Sequence, residues 1–308
     1  MAASLVTPIN STIDRVNTSL TAILRAYFGI ASRVVPDLAR RQAERRFTAP
    51  PRYAGRRAPS VDAMRTTVLA GAHSLAVWQV GPIAAPAVLL SHGWGGRGLQ
   101  MESFVAPLVR TGHRVVWFDH PGHGESGRAA VALPDFVRAI TALAATHGPF
   151  KAGIGHSLGA AALALAMRRG TPFERVVFVS PPASINEHAH KFARFLGISP
   201  AIREAMRLRL ERRYGIPFAE IDRIDDLAQL ALPALFVHDE RDAQVPFEDS
   251  LRLSGRMPGA RLVKTYGLGH YRILRDHGVV GAVSAFVRGL DSDLPAELPP
   301  LPRPAPLY

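Results

Sequence analysis

Five residues near the middle of the chain, Gly155-His156-Ser157-Leu158-Gly159, restrict its folding more than any other feature. They follow a short apolar run, 150–156, and open an alanine-rich stretch that reads as helix to about residue 169. A serine on a sharp strand-to-helix turn needs small neighbours on both sides, because the turn is crowded, and glycines at 155 and 159 meet that need. The turn lifts the hydroxyl clear of a sheet and sets the following amide at a helix start.

The flanking sequence has the matching texture. Residues 66–71 and 73–79 read as two strands around a Gly71-Ala72 turn. Further strands are expected at 87–91, 114–118, 174–180, 234–238 and 261–265, and helices at 99–111, 134–147 and 271–289. Alternation of this kind argues for an α/β fold with a mostly parallel sheet covered on both faces. The stretch 185–232 is helical, charged and poor in strand candidates, so it reads as a helical cap inserted between two strands, with 61–184 and 233–290 forming the core. Six prolines between Pro295 and Tyr308 favour an extended or disordered tail over 291–308. With 308 residues and 47% hydrophobic content, the length allows one large domain with an insertion and the composition excludes a mostly disordered chain.

Cysteine is absent, which excludes thiolate catalysis, disulfides and cysteine metal sites, and fits a cytoplasmic location. No window holds 18 continuous apolar residues, so a conventional membrane span is not expected. The net charge is +12, and residues 1–60 carry ten arginines against Asp14, Asp37 and Glu44. That arginine-rich arm begins with an expected helix. Ser11 and Asp14 can form its capping box, Ile13, Val16, Leu20, Ile23, Leu24, Tyr27 and Phe28 recur at helical spacing, and Pro36 would stop it. The stripe is expected to pack on the main domain or on another subunit, with peripheral membrane contact through residues 1–35 as the alternative. Nucleic acid is not an expected partner, because no aromatic interleaving or binding motif accompanies the charge. The oligomeric state is not readable.

A neutral serine hydroxyl needs a base held by a third group. His270, in a glycine-flanked loop after the last strand, is the best base. Asp242 is the first choice of orienting acid, Asp239 the principal rival and Glu240 the weaker one. An acyl-transfer oxyanion needs two amide donors. The Leu158 N–H is one candidate, and the Trp94 N–H, in Gly93-Trp94-Gly95-Gly96, is the other. The Trp94 ring is also a candidate pocket wall, and His92 is expected to brace this loop by hydrogen bonding.

Several segments in order, Ser91-His92-Gly93-Trp94-Gly95-Gly96, Phe118-Asp119-His120-Pro121-Gly122-His123-Gly124-Glu125-Ser126, the 155–159 turn, Asp242–Pro246 and Gly269-His270, make the chain resemble the α/β-hydrolase superfamily over roughly 65–289. The resemblance implies an eight-stranded, mostly parallel sheet, a cap after the sixth strand, and Ser157, Asp242 and His270 as nucleophile, acid and base. It departs at Asp239, where a glycine is common, and at Ala160, where many members have a third glycine. The expected activity is that of a serine esterase that needs no cofactor or metal. Thioester, amide or carbon–carbon cleavage, acyl transfer, and a non-catalytic binding role are the alternatives. Phe192, Phe195, Leu196 and Ile202 are candidate pocket residues for a partly hydrophobic, small-molecule ester, and the arginines of 194–213 allow an anionic group on it.

Two decoys are weaker. Gly122-His123-Gly124-Glu125-Ser126-Gly127 fits a G-x-G-x-x-G string, but no clean acidic strand end follows about 20 residues later. His120 with His123, and His188 with His190, lack the carboxylates that would complete a metal site.

Overall fold

A computed structural model of the chain describes residues 9–51, 58–292 and 294–298, with side chains from residue 21 onward. The expected Ser11–Asp14 capping box, the apolar positions 13, 16 and 20, and the tail beyond 298 lie outside the described residues or side chains. The strands are β1 (Met64–Ala70), β2 (His73–Val80), β3 (Ala87–Ser91), β4 (Arg114–Phe118), β5 (Phe150–His156), β6 (Phe173–Val179), β7 (Ala234–Asp239) and β8 (Arg261–Thr265). The helices are α1 (Ile9–Val34), α2 (Pro36–Thr48), α3 (Val105–Arg110), α4 (Leu133–His147), α5 (Leu158–Arg168), α6 (Ile185–Leu196), α7 (Pro200–Tyr214), α8 (Phe218–Ile221), α9 (Phe247–Ser254), α10 (Gly269–Arg272) and α11 (His277–Val287). They divide into two compact units: residues up to Thr48 with Ser184–Asp222, and Ala49–Ala183 with residues from Arg223 onward.

The second unit holds one eight-stranded sheet in the order β1-β2-β4-β3-β5-β6-β7-β8. The β1–β2 and β2–β4 pairs are antiparallel, and every other pair is parallel. All five residues of β3 and all six of β7 are buried, as expected of parallel strands covered on both faces. Val88, Leu90, Ile154, Val177, Val179, Leu235 and Val237 form one core cluster with Phe104 and Leu108 and with Val279, Val283 and Phe286 of α11. Residues 296–298 pair along the outer edge of β8, through Lys264 N–H to Ala296 O and Leu298 N–H to Lys264 O.

Three expected elements differ in detail. The helix expected at 99–111 begins as a 3₁₀ turn, Gly98–Phe104, and only then becomes α3. The helix expected at 271–289 is broken, because Asp276 adopts an extended backbone and its carboxylate accepts the Val279 N–H, capping α11. Helix α9 was not expected. Pro246 at its N-cap and Glu248 and Asp249 in its first turn are the signals that mark it.

The first unit is helical, with its own core of Phe28, Ala31, Ala39, Ala43, Ala189, Ala193, Leu196, Ile202, Met206, Leu210 and Phe218. Alanines four apart in α2 and α6 leave room for close helix approach. Ser184 and Ser199 cap α6 and α7 by accepting N–H bonds from Glu187 and Ile202, and left-handed Gly197 and Gly215 end them. Asp222 accepts from Ser184 Oγ and the Ile185 N–H, fixing the start of α6. Pro36 separates α1 from α2 but does not stop the chain from remaining helical, because the Val35 and Ala39 N–H groups reach Ala31 O and Val35 O. No helix among the described residues is long and apolar enough to cross a membrane.

Candidate active site

The sheet delivers four chain segments to the carboxyl ends of β3, β5 and β7 and to the loop after β8. Ser157 stands between β5 and α5 with φ 52° and ψ −123°, a conformation that L side chains rarely adopt and that costs about 1–3 kcal/mol. Backbone contacts hold it there: its N–H donates to Val179 O of β6, and its carbonyl accepts from the Ala160 and Ala161 N–H groups.

The crowding expected of this turn is measurable. A Cβ on Gly155 would lie 2.6 Å from Ala160 Cα, and one on Gly159 would lie 2.4 Å from His92 O. A Cβ on Gly93 would lie 2.9 Å from Ser157 Cβ and 3.2 Å from His156 Nδ1. All three glycines are therefore demanded by close backbone approach, and the last one presses the loop after β3 against Ser157.

That loop is braced by histidines. The Gly96 N–H donates to Gly93 O, closing a turn around Trp94, and the Gly95 N–H donates to His123 Nε2 at 3.0 Å. His123 must then carry its proton on Nδ1, which donates to Pro121 O. His92 donates through Nδ1 to Gly93 O and accepts the His120 N–H at Nε2. Neither ring has an acceptor for a second proton. Burial, the largest cause, pushes His92 down to about 4 and His123 to about 3; the neighbouring His92 adds to the latter. Trp94 is half-buried, 5.2 Å from His123 edge to face and loosely stacked on Phe136. The Leu158 N–H opens α5, where no preceding turn offers it an acceptor.

Asp242 and His270 are brought together, with Asp242 Oδ2 2.6 Å from His270 Nδ1. The other Asp242 oxygen accepts from the Gln244 and Val245 N–H groups. His238, on β7, lies behind it, its Nε2 3.5 Å from Asp242 Oδ2 and 3.1 Å from Val245 O. Both neighbours are acceptors, so Nε2 carries the proton and Nδ1 accepts from Ser250 Oγ at 2.7 Å. Burial pushes the Asp242 carboxyl upward, but the bonds from His238 and His270 outweigh it and hold it well below the usual carboxylate range.

Asp239 does different work. Its oxygens accept from Thr265 Oγ1 and from the Leu268 and Arg241 N–H groups, so it ties the end of β7 to the loop that carries His270. His270 is tied to the turn through the residue before Ser157: His156 Nε2 donates to His270 O at 2.9 Å, and the two rings lie 4.6 Å apart. Burial, helped by His270, pushes His156 down to about 3, so it too is neutral. Sequence reasoning missed His156, His238 and His123 as supports. Their only signal was an excess of histidines beside the glycine turns.

Of the expected pocket residues, Phe192 packs edge-on against Phe47, Leu196 and Ile202 are buried in the first unit's core, and Phe195 is exposed. The glycine string 122–127 is a loop: Gly122, Gly124 and Gly127 have positive φ, and α4 begins only at Leu133. A Cβ on Gly124 would overlap the Asp119 carboxylate, which accepts from the Gly98 and Glu125 N–H groups. Among the described residues no group of three or more His, Asp or Glu is placed to hold a metal ion.

Two family models match. One, described as the alpha/beta hydrolase fold, covers residues 86–212, and one described as TAP-like protein covers 200–296. The pimeloyl-[acyl-carrier protein] methyl ester esterase of Xanthomonas campestris pv. campestris is 30% identical over 256 residues, covering 67% of this chain and 96% of that protein. The non-heme chloroperoxidase of Burkholderia pyrrocinia is 25% identical, covering 68% and 94%. A match to the putative carbamate hydrolase RutD of Variovorax paradoxus, 33% identical, reaches only 43% of that protein. Among solved structures, an esterase of Pyrococcus furiosus covers 78% of this chain and 98% of its own at TM-score 0.60 and 20% identity. Est1E of Butyrivibrio proteoclasticus with ferulic acid bound covers 74% and 98% at TM-score 0.59 and 20% identity. These two establish likeness of fold.

Proposed function

The chain belongs to the α/β-hydrolase superfamily, and on that premise we propose that it is a serine hydrolase that cleaves a small, partly hydrophobic carboxylic ester through an acyl-enzyme. The observation that carries this reading is the 2.6 Å hydrogen bond from His270 to Asp242, in a loop bonded to the residue before Ser157.

The bond fixes the proton of His270 on Nδ1 and leaves Nε2 with a lone pair. Nε2 takes the proton of Ser157 Oγ as that oxygen attacks the substrate carbonyl. Asp242, already ionised, stabilises the imidazolium formed. The Leu158 and Trp94 N–H groups receive the oxyanion, each contributing about 10²–10³ in kcat by analogy with other oxyanion donors. The alcohol leaves with the proton from Nε2. Water then gives a proton to the same nitrogen and attacks the acyl carbon; the bond to Ser157 Oγ breaks, Oγ takes the proton back from Nε2, and the carboxylic acid is released. Every bond made and broken is accounted for by these groups, so the scheme calls for no cofactor.

An ester is preferred because the esterase from Xanthomonas aligns over nearly its whole length. The test is a fluorophosphonate probe with a chromogenic ester series, run on the native chain and Ser157→Ala. Labelling and turnover of the native chain alone support the reading. Equal labelling of both proteins, or no labelling of the folded native chain, ends it.

A further inference from the structure

The arm that precedes the sheet has no part in the chemistry above, yet one face of it is poorly suited to water. In α1, Ile23, Ile30 and Val34 are 65%, 67% and 71% exposed. Their spacing of seven and four residues puts them within about 40° of one another around the helix, in a line about 16 Å long. Val35 and Leu38, at the junction with α2, are exposed as well. The neighbouring face of the same helix is already satisfied, because Phe28 and Ala31 are buried in the first unit's core. The exposed stripe is thus additional to the stripe that packs the helix, and nothing in the packing of the unit requires it to be apolar.

The charges around it are mostly positive, the exposed Asp37 lying 3.6 Å from Arg40. Residues 21–34 contain Arg25 and Arg33 and no acid. On α2 the exposed residues at helical spacing after Leu38 are Arg41 and Arg45. Among the described residues none of these four arginines is paired with a carboxylate, whereas Arg40 is held by Asp37 and Glu44. Guanidinium groups bind phosphate oxygens through paired N–H donors and are more weakly hydrated than ammonium groups. A second copy of this face would set arginine against arginine, so charge complementarity disfavours self-association.

We propose that this face, the stripe Ile23-Ile30-Val34 flanked by Arg33 and continued by Arg41 and Arg45, docks the protein on the surface of an anionic phospholipid bilayer. The apolar side chains enter the boundary between headgroups and acyl chains, and the arginines engage the phosphates, so the arm lies on the membrane without spanning it.

The experiment is co-sedimentation of the full chain with vesicles of phosphatidylcholine alone and of phosphatidylcholine with roughly one-third phosphatidylglycerol, at low and physiological salt. The native chain is expected to sediment with the anionic vesicles and to be released by salt. The substitutions Ile23→Gln, Ile30→Gln and Val34→Gln, made together at exposed helical positions, are expected to lower that partitioning by at least about tenfold. Arg41→Gln with Arg45→Gln should weaken binding and flatten its salt dependence. Hydrolysis of a water-soluble ester and the far-ultraviolet circular dichroism should be unchanged in both variants, which separates lost docking from lost folding or lost chemistry. Absence of native-chain binding to anionic vesicles at low salt overturns the proposal, as does equal binding by the triple variant. A native dimer that the triple substitution dissolves, with no vesicle binding, would assign the face to a second copy and overturn it equally.

Discussion

Asp242, not Asp239, is the carboxylate hydrogen-bonded to His270, at 2.6 Å between Oδ2 and Nδ1. The two aspartates are three residues apart, one ending β7 and the other in the loop after it, and have separate tasks. Asp239 holds the loop to Thr265, Leu268 and Arg241, while Asp242 turns toward the imidazole.

Asp242→Asn should therefore lower kcat by about 10³–10⁴-fold, because an amide favours the wrong imidazole tautomer. Asp239→Asn should cost mainly stability, about 1–3 kcal/mol, since it weakens several buried bonds of a structural carboxylate. Steady-state kinetics and urea melts on both variants separate the effects. A greater kinetic loss in the Asp239 variant would reverse the assignment.

The glycines at the turn make a steric prediction. Gly159→Ala puts a methyl group 2.4 Å from a backbone carbonyl, and Gly155→Ala puts one 2.6 Å from Ala160 Cα. Neither neighbour is the end of a flexible side chain, so each variant should lose at least about 1–3 kcal/mol and most of its esterase activity. Gly281→Ala in α11, where no heavy atom lies within 4 Å, is the control and should be neutral or slightly stabilising. Denaturant melts of the three variants decide the matter.

Acid lability follows from the buried rings. His92, His123 and His156 titrate near 6.5 in the unfolded chain but at about 4, 3 and 3 in the folded one. Between those values the unfolded state binds more protons, so stability is fully present above pH 6.5 and is lost as pH falls toward 4. The slope should approach about 4 kcal/mol per pH unit if all three rings remain neutral in the fold. Stability measured by chemical denaturation from pH 7.5 to 4.5 tests this, and a flat profile would show that the rings accept protons in place.

His238 should act as a positioning residue. His238→Leu removes the ring behind Asp242 and strands the Ser250 hydroxyl, so kcat should fall about tenfold with KM nearly unchanged. Ser250→Ala should have a smaller effect in the same direction. A change confined to KM, or to thermal stability alone, would leave His238 with a purely structural role.

Much of this molecule can be read from residue order. The runs at 87–91 and 234–238 coincide with β3 and most of β7, because a parallel strand buried on both faces is a nearly continuous apolar run and needs no partner to be recognised. The turn at Ser157 is legible too, since the glycines at 155 and 159 mark it, although the atoms that crowd Gly159 and hold the Ser157 N–H belong to His92 and Val179. The tertiary structure alone decides which aspartate meets the imidazole, which histidines are held neutral, and which side of α1 remains uncovered. Those facts depend on atoms brought together across intervals such as the 114 residues between His156 and His270. Hydrogen-bond direction and burial in such pairs are fixed by the fold, and periodicity along the chain carries no record of them.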